Sequence, residues 1–245
     1  MKKISLMIGL FSLATCSFAA GGSFTIFPTQ VVFENPGKVK DITLVNLSDS
    51  LLNTQSTLKT YQQKLVNGRL IESNTLISGS PAVIATPIVM QNIAPNSKQS
   101  IRLLAIRQNP ESEIVYRYYV KNLNPRSVDS SGTQFEIEYG MPVFILPQHV
   151  NESYNITYVK LNGKPYLKTT NIGNVHVMLK EVYIQSAGKP VAIGTIGRLL
   201  AGESMYLSIP STLDKNLHSQ INLNVAKAGL INFEQESQVA LTITK

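Results

Sequence analysis

The sequence predicts an all-β protein built as two successive β-sandwiches, and three observations carry that prediction. Apolar and polar residues alternate along almost the whole chain, the period of two that a strand requires. Gly, Pro, Asn or Ser bounds nearly every such run, as turns demand. The pattern also stops near residue 147 and restarts after residue 153. Each set then spans roughly 100 to 125 residues, the size of an immunoglobulin-like sandwich, so two such domains fit better than one.

The first element is a leader. Lys2 and Lys3 precede an apolar run from Ile4 to Ala14, with small residues at Ser17 and Ala19, so residues 1–19 read as a cleaved secretory signal peptide. The run is too short to span a membrane stably. Cleavage is expected after Ala19, with Ala20 as second choice. Leu13-Ala14-Thr15-Cys16 superficially suggests a lipidated cysteine, but Thr15 is bulkier than the residue such sites usually carry there. Losing the leader removes Cys16, the single cysteine, and lowers the formal charge from +7 to +5. A secreted chain without disulfides must rely on core burial, which this length permits. No later run is apolar enough for a transmembrane helix, so a soluble product without stable membrane insertion is expected. The basic residues are scattered, which argues against nucleic-acid binding.

The first domain is expected over residues 20–147. Its strands fall at 24–33, 40–46, 52–61, 82–90, 100–105, 114–122 and 135–146, each alternating and each ending at turn-forming residues. The second, over 148–245, has shorter runs at 154–161, 164–170, 175–184, 190–196, 204–209, 220–225 and 238–243. Two polar connections, 62–79 and 124–133, read as loops. The Pro, Ser, Asp and Gly of the second make it mobile until something binds.

The last strand of the first domain, FEIEYGMPVFILP, is the most informative segment. Phe135, Ile137, Tyr139, Met141, Val143 and Ile145 share one parity and form an apolar ridge. Pro142 removes a ladder donor and favours a sheet edge. Apolar edges template pairing with other chains and are normally blunted. On periodicity alone the ridge reads first as an ordinary core strand of its own sandwich, and second as a surface kept for a partner.

The chemistry of an enzyme is missing. His149, His176 and His218 are isolated, and without cysteine there is no thiolate site. There is no G-x-S-x-G elbow or phosphate-cradling loop. Glu136 and Glu138 lie two apart, but solvated glutamates on an outward face are far commoner than a carboxylate pair. No cofactor or metal is expected. The strand cations are more informative: Arg102 in SIRLLAI, and Arg117 and Lys121 on one face of IVYRYYVK. They read either as a solvated face, from which such side chains snorkel, or as an anion pocket, since a guanidinium binds a carboxylate bidentately.

Several stretches together resemble the periplasmic pilus chaperones of the chaperone-usher pathway. They are FPTQVVFENPGKVKDITLVN, ATPIVMQNIAPNSKQSIRLLAI, EIVYRYYVKNLNP, the GMPVFILP strand end, and NIGNVHVMLKEVYI with LLAGESMYL. Each is weak alone, and their order and spacing carry the likeness. The resemblance implies two immunoglobulin-like domains in a boomerang arrangement, which capture secreted pilin subunits in the periplasm and deliver them to an outer-membrane usher. Chaperone–pilin pairing is an established case of strand addition. On that likeness Phe135, Ile137, Tyr139 and Met141 are the donor residues that fill the pilin groove. Basic residues of the interdomain cleft would hold the pilin's C-terminal carboxylate. The classical basic positions hold Gln30 and Pro142 here, and the Pro-Val-Phe strand end looks like the archaic branch. Arg102 and Arg117, with Lys121 in reserve, are expected to replace the missing pair. The alternative is an extracellular β-sandwich adhesin or a pilus subunit, against which two strand sets and the short stretch before Phe24 both count.

Overall fold

The computed structural model describes residues 24–34, 37–106, 110–124, 137–186, 189–195, 197–210, 220–226 and 236–242. The first set comprises β1 (Phe24–Phe27), β2 (Val31–Phe33), β3 (Val39–Asn46), β4 (Leu52–Val66), β5 (Arg69–Leu76), β6 (Val83–Thr86), β7 (Val89–Ile93), β8 (Lys98–Ala105), β9 (Ile114–Asn122) and β10 (Glu138–Ile145). One sheet runs β1-β3-β8-β6, and the facing sheet runs β2-β10-β9-β4-β5 with β7 also on β4. The second set comprises β11 (Tyr154–Leu161), β12 (Lys164–Asn171), β13 (Val177–Ser186), β14 (Lys189–Gly194), β15 (Gly197–Leu199), β16 (Ser204–Ser208), β17 (Gln220–Ala226) and β18 (Glu236–Thr242). It forms the sheets β11-β12-β16 and β14-β13-β17-β18, with β15 on β13.

Three departures from the expected elements have physical causes. The run 24–33 is two strands in different sheets, β1 against β3 and β2 parallel to β10. The run 82–90 divides in the same way into β6 against β8 and β7 against β4. A proline lies at each crossing, Pro28 and Pro87, where the missing N–H ends one ladder and frees the chain to join another. The connection 62–79 is mostly not a loop. β4 continues to Val66 and returns as β5 through Asn67 and Gly68, both at positive φ (49° and 77°), as a two-residue hairpin turn requires. The second expected loop lies outside the described residues from 125 onward.

Alternation places one face of each sheet inward. Between the first two sheets, Ile26, Phe33, Ile42, Leu44, Ile101, Leu103, Tyr118, Val120, Met141 and Val143 form one core. A smaller core in the second set gathers Leu167, Val177, Val182, Leu199 and Ile209. A third cluster joins the two sandwiches: Val32, Tyr61, Val115 and Phe144, on the opposite parity of their strands, meet Leu146, Val175 and Leu200.

Candidate functional site

Register decides what each part of β10 has for neighbours. Along its whole length it pairs antiparallel with β9, from Glu138 opposite Lys121 to Ile145 opposite Ile114. On the other edge it pairs with β2 only from Val143 to Ile145. Among the described residues, the edge from Glu138 to Pro142 has no second strand. Backbone groups directed to that side are open to an added strand.

Burial divides at the same place. Met141, Val143 and Ile145 are buried in the chain's own core, whereas Ile137 and Tyr139, on the same parity, are half-buried at its lip. The Tyr139 ring lies 6.5 Å from that of Phe24, which brings the free stretch of β10 beside β1 of the facing sheet. Of the four expected donor residues, Ile137 and Tyr139 therefore lie by the free edge. Met141 is filled by intramolecular packing, and Phe135 lies outside the described residues.

The opposite parity of β10 faces the junction between the sandwiches. At Gly140 a Cβ would come 2.8 Å from Cε1 of Tyr119 and 3.4 Å from Cδ of Arg117. Glycine thus lets two β9 side chains lean across the strand. The Arg117 guanidinium sits 4.6 Å over the Tyr61 ring, and its Nη2 is 3.7 Å from the Glu72 carboxylate. Arg198 of β15 enters from the second sandwich, 4.7 Å over the Phe144 ring, with Nη2 donating to Gln30 Oε1 at 3.4 Å.

Of these two cations Arg198 is the less compensated. The Nε atoms of both are buried without a partner, and among the described residues no acidic side chain pairs with Arg198. Burial pulls Arg198 below the ordinary arginine pKa, with Tyr61 and Glu113 opposing the shift and Arg117 adding to it. Burial, followed by a hydrogen bond with Glu72, pushes Tyr61 up to about 12. Tyr61 therefore stays neutral at working pH. A half-buried cation without a counter-ion, as Arg198 is among the described residues, carries a desolvation cost that an arriving anion would relieve.

The other expected anchors sit elsewhere. Arg102 lies on β8, in the facing sheet, opposite Asp41, with Nε 3.0 Å from Oδ1 and both side chains exposed. The structure does not bring Arg102 to Arg117, because the two strands belong to different sheets. Lys121 shares the outward face of β9 with Arg117, opposite Glu138 where the free edge begins. Arg198 escaped the sequence reading because nothing in GRLL marks it. Only the docking of the second sandwich gives it a role.

That docking is held by polar side chains around the third cluster. The Gln63 amide donates to the Arg198 carbonyl at 3.0 Å and accepts from the Leu200 N–H at 2.9 Å. The buried Glu113 carboxylate accepts from the His176 N–H at 3.0 Å and contacts its Nδ1 at 2.8 Å. The His176 ring in turn lies 4.4 Å from that of Phe144. Phe144 is thus held between His176 on one contact and Arg198 on another.

Comparison with known proteins agrees with this geometry. The family described as Pili and flagellar-assembly chaperone, PapD N-terminal domain, matches residues 23–151. Among solved structures, the Class 5 fimbriae chaperone CfaA superposes with a TM-score of 0.63 at 22% identity, covering 89% of this chain and 98% of that one. The CsuC–CsuE chaperone–tip adhesion subunit complex of archaic Csu pili from Acinetobacter baumannii gives a TM-score of 0.63 at 17% identity, covering 91% and 100%. The YadV chaperone gives 0.61 at 17%, covering 89% and 99%. A search of the curated proteins finds no match. With the family match spanning more than half of its length, the chain belongs to the PapD-like pilus and flagellar-assembly chaperones, a family that is not enzymatic.

Proposed function

We propose that this chain works in the periplasm, where it captures pilin or tip-adhesin subunits by strand addition and passes them to an outer-membrane usher. The observation that carries the reading is the half-paired β10: a backbone edge with no second strand among the described residues from Glu138 to Pro142, beside Ile137 and Tyr139 left half-buried. A subunit lacking a strand would take both the ladder and the side chains. Completing the burial of Ile137 and Tyr139, already half-buried, would contribute about 1 kcal/mol each, before ordering costs. Support comes from relatives of this fold solved with their subunits, the CsuC–CsuE complex and SafA pilin with the SafB chaperone. Residues 1–19 are then a leader, 20–147 the donor domain and 148–245 the second domain.

The subunit's terminal carboxylate goes to Arg117, with Arg198 as the second cation and Lys121 in reserve. Arg102, ion-paired to Asp41 on the facing sheet, has no part in it. Co-expression with a pilin subunit, followed by size-exclusion chromatography, tests the reading. The expected result is a one-to-one complex, with recovery reduced at least tenfold in the double variant Arg117→Ala, Arg198→Ala. Absence of a complex with any subunit overturns the function. A complex undiminished in the double variant removes the anchor alone.

A further inference from the structure

On the far side of the first sandwich from β10, β4 changes partners. Its outer edge pairs with β7 over Leu52–Gln55 and with β5 from Lys59 onward, leaving Ser56, Thr57 and Leu58 between the two. Ser56 alone is tied there, its N–H and hydroxyl both donating to the Ile88 carbonyl at 2.7 and 3.0 Å. Across the gap runs β6, the terminal strand of the facing sheet. The two sheets consequently border an open-mouthed pocket of about 310 Å³, whose lining includes Leu58, Ile77, Val83, Ala85 and Tyr118. Ile84 and Ile88, both exposed, flank its mouth.

The polar atom in this lining that lacks a partner belongs to Tyr118. Its side chain is fully buried, yet its hydroxyl has no hydrogen-bond partner among the described residues. Ser56 lies close enough to oppose part of the shift in the phenol, yet its hydroxyl, turned to the Ile88 carbonyl, is not in hydrogen-bond geometry with that of Tyr118. Burial pushes the phenol up to about 12, so it remains a protonated donor. A buried donor left unsatisfied is unfavourable, and a ligand oxygen that accepts from it removes that cost.

We propose that this pocket is a binding site for a small, mainly apolar molecule carrying one hydrogen-bond acceptor, such as an aryl ketone, with Tyr118 as the donor that orients it. The volume lies in the range of small-molecule sites and holds a bicyclic aromatic of about a dozen non-hydrogen atoms. An apolar lining with one directed polar group selects by shape first and by the acceptor second. No residue of β10 and neither arginine lines the site, although Tyr118 pairs with Met141 across the ladder, so the proposal stands whether or not the subunit-capture reading does.

The probe is 2-acetylnaphthalene titrated into the full chain, with 2-ethylnaphthalene as the partner of the same size without an acceptor. Amide shifts of Thr57, Ala85 and Ile88 in two-dimensional NMR report occupancy. Saturable shifts confined to these strands are expected, with the ketone binding about tenfold more tightly than the hydrocarbon. Tyr118→Phe should abolish that preference while leaving the hydrocarbon bound, and Ala85→Leu should displace both by filling the space. Shifts that do not saturate, shifts that map elsewhere, or a ketone preference that survives Tyr118→Phe each overturn the proposal.

Discussion

The two halves of β10 share one alternating pattern and live in different surroundings. From Val143 to Ile145 the strand has a neighbour on both edges, and its inward side chains are buried. From Glu138 to Pro142 β9 is its one neighbour among the described residues, and the ridge rises out of the core at Tyr139 and Ile137. The same alternation thus stabilises the fold at one end and stays available at the other. What separates them is the reach of β2, three residues long, and not any change in side-chain type.

That contrast can be broken at each end. The largest effect is expected from Val143→Asp, which places a carboxylate in a fully packed core. It should cost more than about 4 kcal/mol, read as loss of the folded fraction or a large drop in the urea midpoint. Ile137→Asp should cost only about 1 kcal/mol in the same measurement, because its side chain already meets water. Capture of subunit should nevertheless fall below detection by co-purification. Should Ile137→Asp unfold the protein as Val143→Asp does, the whole ridge is core and the two halves are alike. Gly140→Ala sharpens the picture with the smallest change. Its methyl group meets the Tyr119 ring, so a loss of about 1 kcal/mol in thermal or urea unfolding is expected, with Tyr119 and Arg117 displaced from across the strand.

Much of the first sandwich was legible because alternation records which face is inward. Ile42 and Leu44, or Ile101 and Leu103, announce their strands without help from tertiary structure. The prolines at 28 and 87 were equally visible, yet a proline says only that a ladder ends, not that the chain rejoins the facing sheet. Asn67-Gly68 was a readable hairpin signal, outweighed by the polar residues around it. The arginine cluster was half legible: Arg117 stands on a strand face that parity identifies. Arg198 and the Glu113–His176 contact depend on how two sandwiches dock, and short-range pattern carries no record of that. The ridge itself showed the residues but not the division at Met141, since periodicity is blind to where a neighbouring strand stops.

The β4–β5 hairpin carries a consequence for the order of assembly. Its long arms extend beyond the first sandwich, and Leu70 near the tip packs against the core of the second. The second core is therefore completed by a residue synthesised about a hundred positions earlier than the strands it meets. In vectorial synthesis amino-terminal domains emerge and fold first. Folded in that order, the first sandwich would present Leu70 to strands still arriving. An isolated second domain would expose an unfilled dent at that spot, so the two halves are better regarded as template and follower than as independent modules on a string.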